Sequence, residues 1–128
     1  MTHTRINQWL NSFGLSEFLR QHLLAVMHDL PTPVREDLMH DPQFRLADYE
    51  PGHGVTVHVP MGALRAGWPS RSVVLKRTLR HRPEAFVRYV IAHELAHAHL
   101  RNTGRWPGED PEHAADALAA DWGYPRPA

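Results

Sequence analysis

The chain has 128 residues, with 14 basic and 14 acidic side chains, 11 histidines and no cysteine. That length suits one domain with a modest core, and the missing cysteines exclude disulfides and thiolate-held metals alike. A formal net charge of zero gives no global pull toward nucleic acid, and no apolar run approaches membrane-spanning length.

Met1–Leu10 lacks the charged-then-apolar layout of a secretion signal, so a soluble cytoplasmic protein is the expectation. Residues 5–30 read as helical, because Leu15, Phe18, Leu19, Leu23, Val26 and Leu30 recur at three- and four-residue steps. Gly14 should separate a short helix around Ile6–Leu10 from this longer one, and Pro31 should end it. Val34–Met39 suits another short helix, with Thr32 as cap and Pro33 at the first helical position. Residues 1–45 are thus expected to form a helical, packing part of a single domain spanning 1–128.

Asp41–Gly54 has the Pro, Gly and Asp content of a loop. Val55-Thr-Val-His-Val59 alternates as a half-buried strand does, and Pro60 closes it. Met61–Ser70 reads as a long loop, with Trp68 tucked inward or lining a cleft. Ser72–Lys76 reads as a second strand. Pro83 suits the start of a helix running to about Leu100, with Asn102-Thr103-Gly104 ending it. A last helix should follow Asp110 as cap and Pro111 as first residue, and stop at Gly123. Its alanines at 114, 115, 117, 119 and 120 permit close approach to another helix.

Charge is uneven along the chain. Arg65, Arg71, Lys76, Arg77, Arg80, Arg82 and Arg88 gather in one segment, with Glu84 opposing them. The plain meaning is a solvated face. Segment 65–88 is also the one feature that would suit nucleic acid or an acidic partner.

The chemistry is concentrated in His93-Glu94-Leu95-Ala96-His97. Residues four apart on a helix lie about 40° apart around its axis, so both imidazoles share a face and can hold one metal ion. Glu94, about 100° round from His93, can reach a water on that metal. Val90, Ile91, Ala92, Leu95 and Ala96 make this a buried helix, where polar groups need partners. A catalytic zinc takes three protein ligands and keeps a position open. Glu112 is the first candidate for the third. Asp116, one turn on, would accept the outer N–H of a liganding histidine and fix its tautomer. His113 or Asp116 as direct ligand stays an alternative. His99 lies about 200° round from His97 and points away. Zn²⁺ is the expected ion, although two histidines and a carboxylate discriminate poorly against Mn²⁺, Fe²⁺ or Co²⁺.

His93-Glu-Leu-Ala-His97 followed by Glu112 and Asp116 resembles the zincin metallopeptidases whose third ligand is glutamate, the gluzincins. Glu112–Ala120, running into Trp122-Gly-Tyr-Pro125, resembles the closing helix of ImmA/IrrE-type peptidases. Val73–Leu75, Arg82-Pro83 and Tyr89–His97 are similar to small YgjP/SprT-like peptidase domains. The resemblance spans about residues 72–125, the expected metal-site core. Two departures stand out. Arg101–Arg105 lacks the third histidine of the SprT-like pattern, and the gap from His97 to Glu112 is short for a gluzincin.

The resemblance implies a minimal zincin-like α+β domain, with helices around a small, mostly antiparallel sheet and a central metal-binding helix. It implies a zinc peptidase in which Ser72–Lys76 is the edge strand that holds an extended peptide or protein substrate. Glu94 would be the general base, taking a proton from a water that the metal acidifies and passing it to the leaving amine. His113, Tyr124, His58 and Arg88 are candidate donors to the oxyanion. The alternative is a regulatory or binding module that keeps the fold and cleaves little.

Overall fold

The apolar spacing of the N-terminal third becomes three helices in the computed structural model, which describes residues 2–42, 44–49, 71–100 and 111–127. Helix α1 (Thr2–Asn11) buries Ile6 and Leu10, four apart on one face. Gly14 follows at φ 67°, a left-handed conformation that glycine adopts without a Cβ clash. Helix α2 (Glu17–Asp29) then buries Leu19, Leu23, Val26 and Met27. Helix α3 (Thr32–Met39) has Pro31 at its N-cap, so it starts two residues before the expected Val34, and Thr32 is its first residue rather than its cap. Pro33 is tolerated in that first turn because its missing N–H has no helical acceptor there. Arg35 donates to the carbonyls of Met27, His28 and Leu30, each at 3.3 Å, and so completes the end of α2.

The stretch expected to be loop holds a strand instead, β1 (Phe44–Tyr49). Phe44 and Leu46 are buried while Arg45 between them is exposed, which is the period of a half-buried strand. Its flanking Pro42 and Pro51-Gly52 carry turn signals that mask so short an alternation. Strand β2 (Arg71–Lys76) lies where expected, with Val73 and Leu75 buried and Ser72, Val74 and Lys76 exposed. It pairs with β1 in parallel, Leu46 opposite Val73. This departs from the mostly antiparallel sheet expected, and the expected strand Val55–Val59 lies outside the described residues, as do the loop at 61–70 with Trp68, the turn at 102–104 and the Asp110 cap.

Aromatic stacking ties α1 to the sheet. Trp9 lies over Phe44 with ring centroids 5.6 Å apart, and Phe13 meets Trp9 edge-on at 5.1 Å. Asp48 of β1 accepts from the backbone N–H of Ser16 at 2.6 Å and faces Arg77 at 3.1 Å, joining the start of α2 to the segment after β2. A short 3₁₀ turn, Arg77–His81, buries Leu79 and leads into α4.

Helix α4 (Glu84–Leu100) packs against α2, α3, α5 and β2, and buries Val87, Ile91, Ala92, Leu95 and Ala96. A helix that is apolar on several faces is one surrounded by protein. Helix α5 (Pro111–Asp121) lies on it through Ala115 and Ala119, both fully buried. Small side chains let two helices approach closely, and here the approach delivers the polar face of α5 to the histidines of α4. Gly123, at φ 98°, ends α5, with Tyr124 N–H donating to Ala119 C=O at 2.9 Å and Gly123 N–H to Ala120 C=O at 3.0 Å. That is a Schellman closure, and it turns the tail back across α4. The fold is therefore mixed α+β, with five helices and a two-stranded parallel sheet among the described residues. No helix among the described residues is long and apolar enough to cross a membrane.

Candidate metal centre

Helical spacing places His93 and His97 side by side on α4, their rings near-perpendicular with centroids 4.6 Å apart. Their Nε2 atoms are 3.1 Å from each other. Glu112, in the first turn of α5, places Oε2 2.7 Å from His93 Nε2 and Oε1 3.1 Å from His97 Nε2. Asp116, one turn further along α5, has Oδ1 2.7 Å from His93 Nδ1.

The proton count at His93 is informative. An ionised carboxylate only accepts, so Nδ1 of His93 donates to Asp116, and in the neutral ring Nε2 then carries a lone pair. That lone pair faces a second carboxylate at 2.7 Å and a second imidazole nitrogen at 3.1 Å. Contacts this close need a proton on one of the two Nε2 atoms, or a cation in its place, to join the groups. Donors about 2.0–2.1 Å from a tetrahedral zinc stand about 3.3 Å from one another. The Nε2–Nε2 distance of 3.1 Å and the 3.1 Å from His97 Nε2 to Glu112 Oε1 are near that value, and the 2.7 Å from His93 Nε2 to the other Glu112 oxygen is shorter. Two imidazoles and one carboxylate are donor types that zinc accepts, and three such groups would leave a fourth position open. The residues fit the ion.

Glu94 is close by: one of its carboxylate oxygens lies within 4.8 Å of a ring nitrogen of His93 and of one of His97, a group that could hold a metal ion. Burial pushes its carboxyl above the usual range, the nearby His97 and His93 pull it partly back, and Glu112 adds to the rise. Such a carboxylate is better matched to proton transfer near neutral pH than an exposed one. It also lines a cleft of about 610 Å³, together with Val74 and Lys76 of β2 and Phe86 and Val90 of α4.

Asp116 has more partners than the sequence suggested. Burial alone would raise its carboxyl, but hydrogen bonds from Tyr89 and His93 outweigh that and hold it below the usual range. Tyr89 O–H donates to Asp116 Oδ1 at 2.6 Å, and Arg126 Nε–H donates to the Tyr89 oxygen at 3.1 Å. Burial and the Asp116 carboxylate push the Tyr89 phenol upward. Sequence reasoning missed both residues. Tyr89 precedes His93 by four and so shares its face, a signal that was present. Arg126 lies in a proline-flanked tail with no periodicity to announce it.

The remaining candidates are placed as follows. His113 is exposed on α5, next to Glu112. Tyr124 donates to Asp29, and burial followed by that carboxylate pushes its phenol up to about 12. Arg88 pairs with Glu84 at 2.7 Å and donates to His22 Nδ1 at 3.2 Å. The structure thus engages Tyr124 and Arg88 elsewhere and does not bring them to the histidine pair. His58 lies outside the described residues. His99 faces α3, its Nδ1 2.8 Å from Asp37. In the basic segment, Arg77 pairs with Asp48 and Arg82 stacks on Phe86 at 4.2 Å.

Comparisons with protein-family models, with curated proteins and with solved structures find no match. The chemistry of the site is therefore read from its own atoms.

Proposed function

We propose that this chain is a zinc-dependent peptidase of the gluzincin-like kind, with α4 as the central metal-binding helix of a minimal zincin-like domain. His93, His97 and Glu112 would hold the ion. Bound there, it supplies Lewis acidity that lowers the pKa of water and polarises a carbonyl. Glu94 takes a proton from the attacking water on its carboxylate oxygen and returns it to the nitrogen of the leaving amine. Asp116 fixes the tautomer of His93 so that Nε2 stays available. The cleft beside β2 receives an extended peptide or protein substrate, and its apolar walls at Val74, Phe86 and Val90 keep bulk water from the reacting bond.

The observation that carries this proposal is the convergence of three groups able to ligate a metal, His93 Nε2, His97 Nε2 and the Glu112 carboxylate, 2.7 to 3.1 Å from one another. The position of Glu94 favours hydrolysis over a binding role, since a site that only holds a metal needs no base beside it. The test compares wild-type protein with Glu94→Gln at equal zinc content on a mixed peptide library. Peptide cleavage by the wild type, reduced at least about 100-fold in the variant, supports the proposal. Cleavage unchanged by the substitution overturns the mechanism.

A further inference from the structure

The geometry points to a tether between the C-terminal tail and the metal centre, in which Tyr89 and Arg126 are positioning residues that hold Asp116 against His93. This rests on the metal-binding proposal above and extends it to residues beyond α5. Asp116 Oδ1 accepts from Tyr89 O–H at 2.6 Å and from His93 Nδ1–H at 2.7 Å. Both donors stand on α4 one turn apart, so together they give the carboxylate a single resting place. The Tyr89 side is firm because the residue is 5% exposed. The Asp116 side is less so, since its side chain retains 31% exposure and could otherwise swing toward water.

Arg126 closes the assembly from outside. Its Nε–H donates to the Tyr89 oxygen at 3.1 Å, its guanidinium lies 5.5 Å from the Tyr89 ring centroid, and Nη2 is 3.6 Å from Asp116 Oδ2. With a side chain 70% exposed, its charge pairing with Asp116 contributes little by itself. Its influence passes through the tyrosine, which accepts from Arg126 and donates to Asp116 with the same oxygen, an arrangement in which each bond strengthens the other. Gly123 turns the tail across α4, and Pro125 and Pro127 restrict the backbone on either side of Arg126, so little conformational freedom is lost on docking. Metal binding and tail docking are then linked, and each favours the other.

The test is Zn²⁺ affinity, measured on the full chain by chelator competition, for the wild type, Tyr89→Phe, Arg126→Ala and the double variant. Tyr89→Phe keeps the ring and removes the hydroxyl, and is expected to weaken binding about 10-fold or more. Arg126→Ala, at an exposed position that does not threaten folding, should weaken it measurably, and by less than Tyr89→Phe does. The double variant should be no worse than Tyr89→Phe, because the arginine acts through that hydroxyl. At full occupancy with Co²⁺, the visible spectrum of Tyr89→Phe should shift, which a loss of packing alone would not cause. Arg126→Ala binding as the wild type does, or two fully additive effects, overturns the tether. A wild type that binds no Zn²⁺ overturns the metal proposal as well, which separates the two failures.

Discussion

His93 Nε2 and Glu112 Oε2 lie 2.7 Å apart although they belong to different helices, and the contact that brings them together is built largely of alanine. Ala115 and Ala119 are fully buried between α4 and α5, and Glu112 and Asp116 project from the same short helix. The spacing of the two helices thus sets the dimensions of the site.

Enlarging that contact should separate the two halves of the site. Ala119→Leu inserts three carbons into a filled interface and is expected to cost about 1–3 kcal/mol of stability. Chemical denaturation should report this as a lower midpoint. Zinc affinity, measured on the folded protein, should fall with it, because Glu112 and Asp116 are displaced from α4 together.

Asp116 contributes in two measurable ways. Replacing it with asparagine removes the acceptor that fixes His93, and zinc affinity should fall about 10- to 100-fold in a chelator competition. Its carboxyl is also held below the ordinary 3.8 in the folded state. The folded protein therefore binds that proton less tightly than the unfolded chain does, so the stabilisation is present above pH 3.8 and is lost as pH falls through the lower folded value. The metal-free asparagine variant should melt below the wild type at pH 7, with the gap closing in acid.

Glu94 has the opposite sign. Burial raises its carboxyl above the ordinary 4.5, so in the metal-free protein its contribution is most favourable below pH 4.5 and is lost as pH rises through the raised folded value. Glu94→Gln carries no charge to desolvate. It should melt higher than the wild type at pH 7, and the advantage should shrink at pH 4. A variant that melts lower at pH 7 would contradict the desolvated placement of this side chain.

Gly123 is at φ 98° with nothing within 4 Å of where a Cβ would stand. The cost of Gly123→Ala is therefore conformational, about 1–2 kcal/mol, rather than a collision. Thermal unfolding should record that loss. The tail that carries Arg126 leaves α5 at this residue, so zinc affinity should also weaken in the same variant.

Local chemistry made much of this fold readable. The breaks at Gly14, Pro31 and Gly123 and the start of α4 after Pro83 all come from residues whose backbone preferences are strong over one or two positions. Strand β1 was hidden because its alternation stops after Phe44-Arg45-Leu46, Asp48 standing where the next apolar residue would fall, and its strand character comes from pairing with β2, some 27 residues away at Phe44 and Arg71. At the site, His93, Glu94 and His97 are legible because one helix spaces them, and Glu112 with Asp116 because a second helix does. Tyr89 and Arg126 were not, since a hydrogen bond from helix to helix to tail depends on how three separate segments pack.

The most direct test of the metal centre is zinc K-edge X-ray absorption on the zinc-loaded chain. The account predicts a four-coordinate ion with two imidazole nitrogens at about 2.0–2.1 Å and the remaining ligands oxygen, and one imidazole fewer in His97→Ala. A six-coordinate shell of oxygen with no imidazole scattering would contradict it.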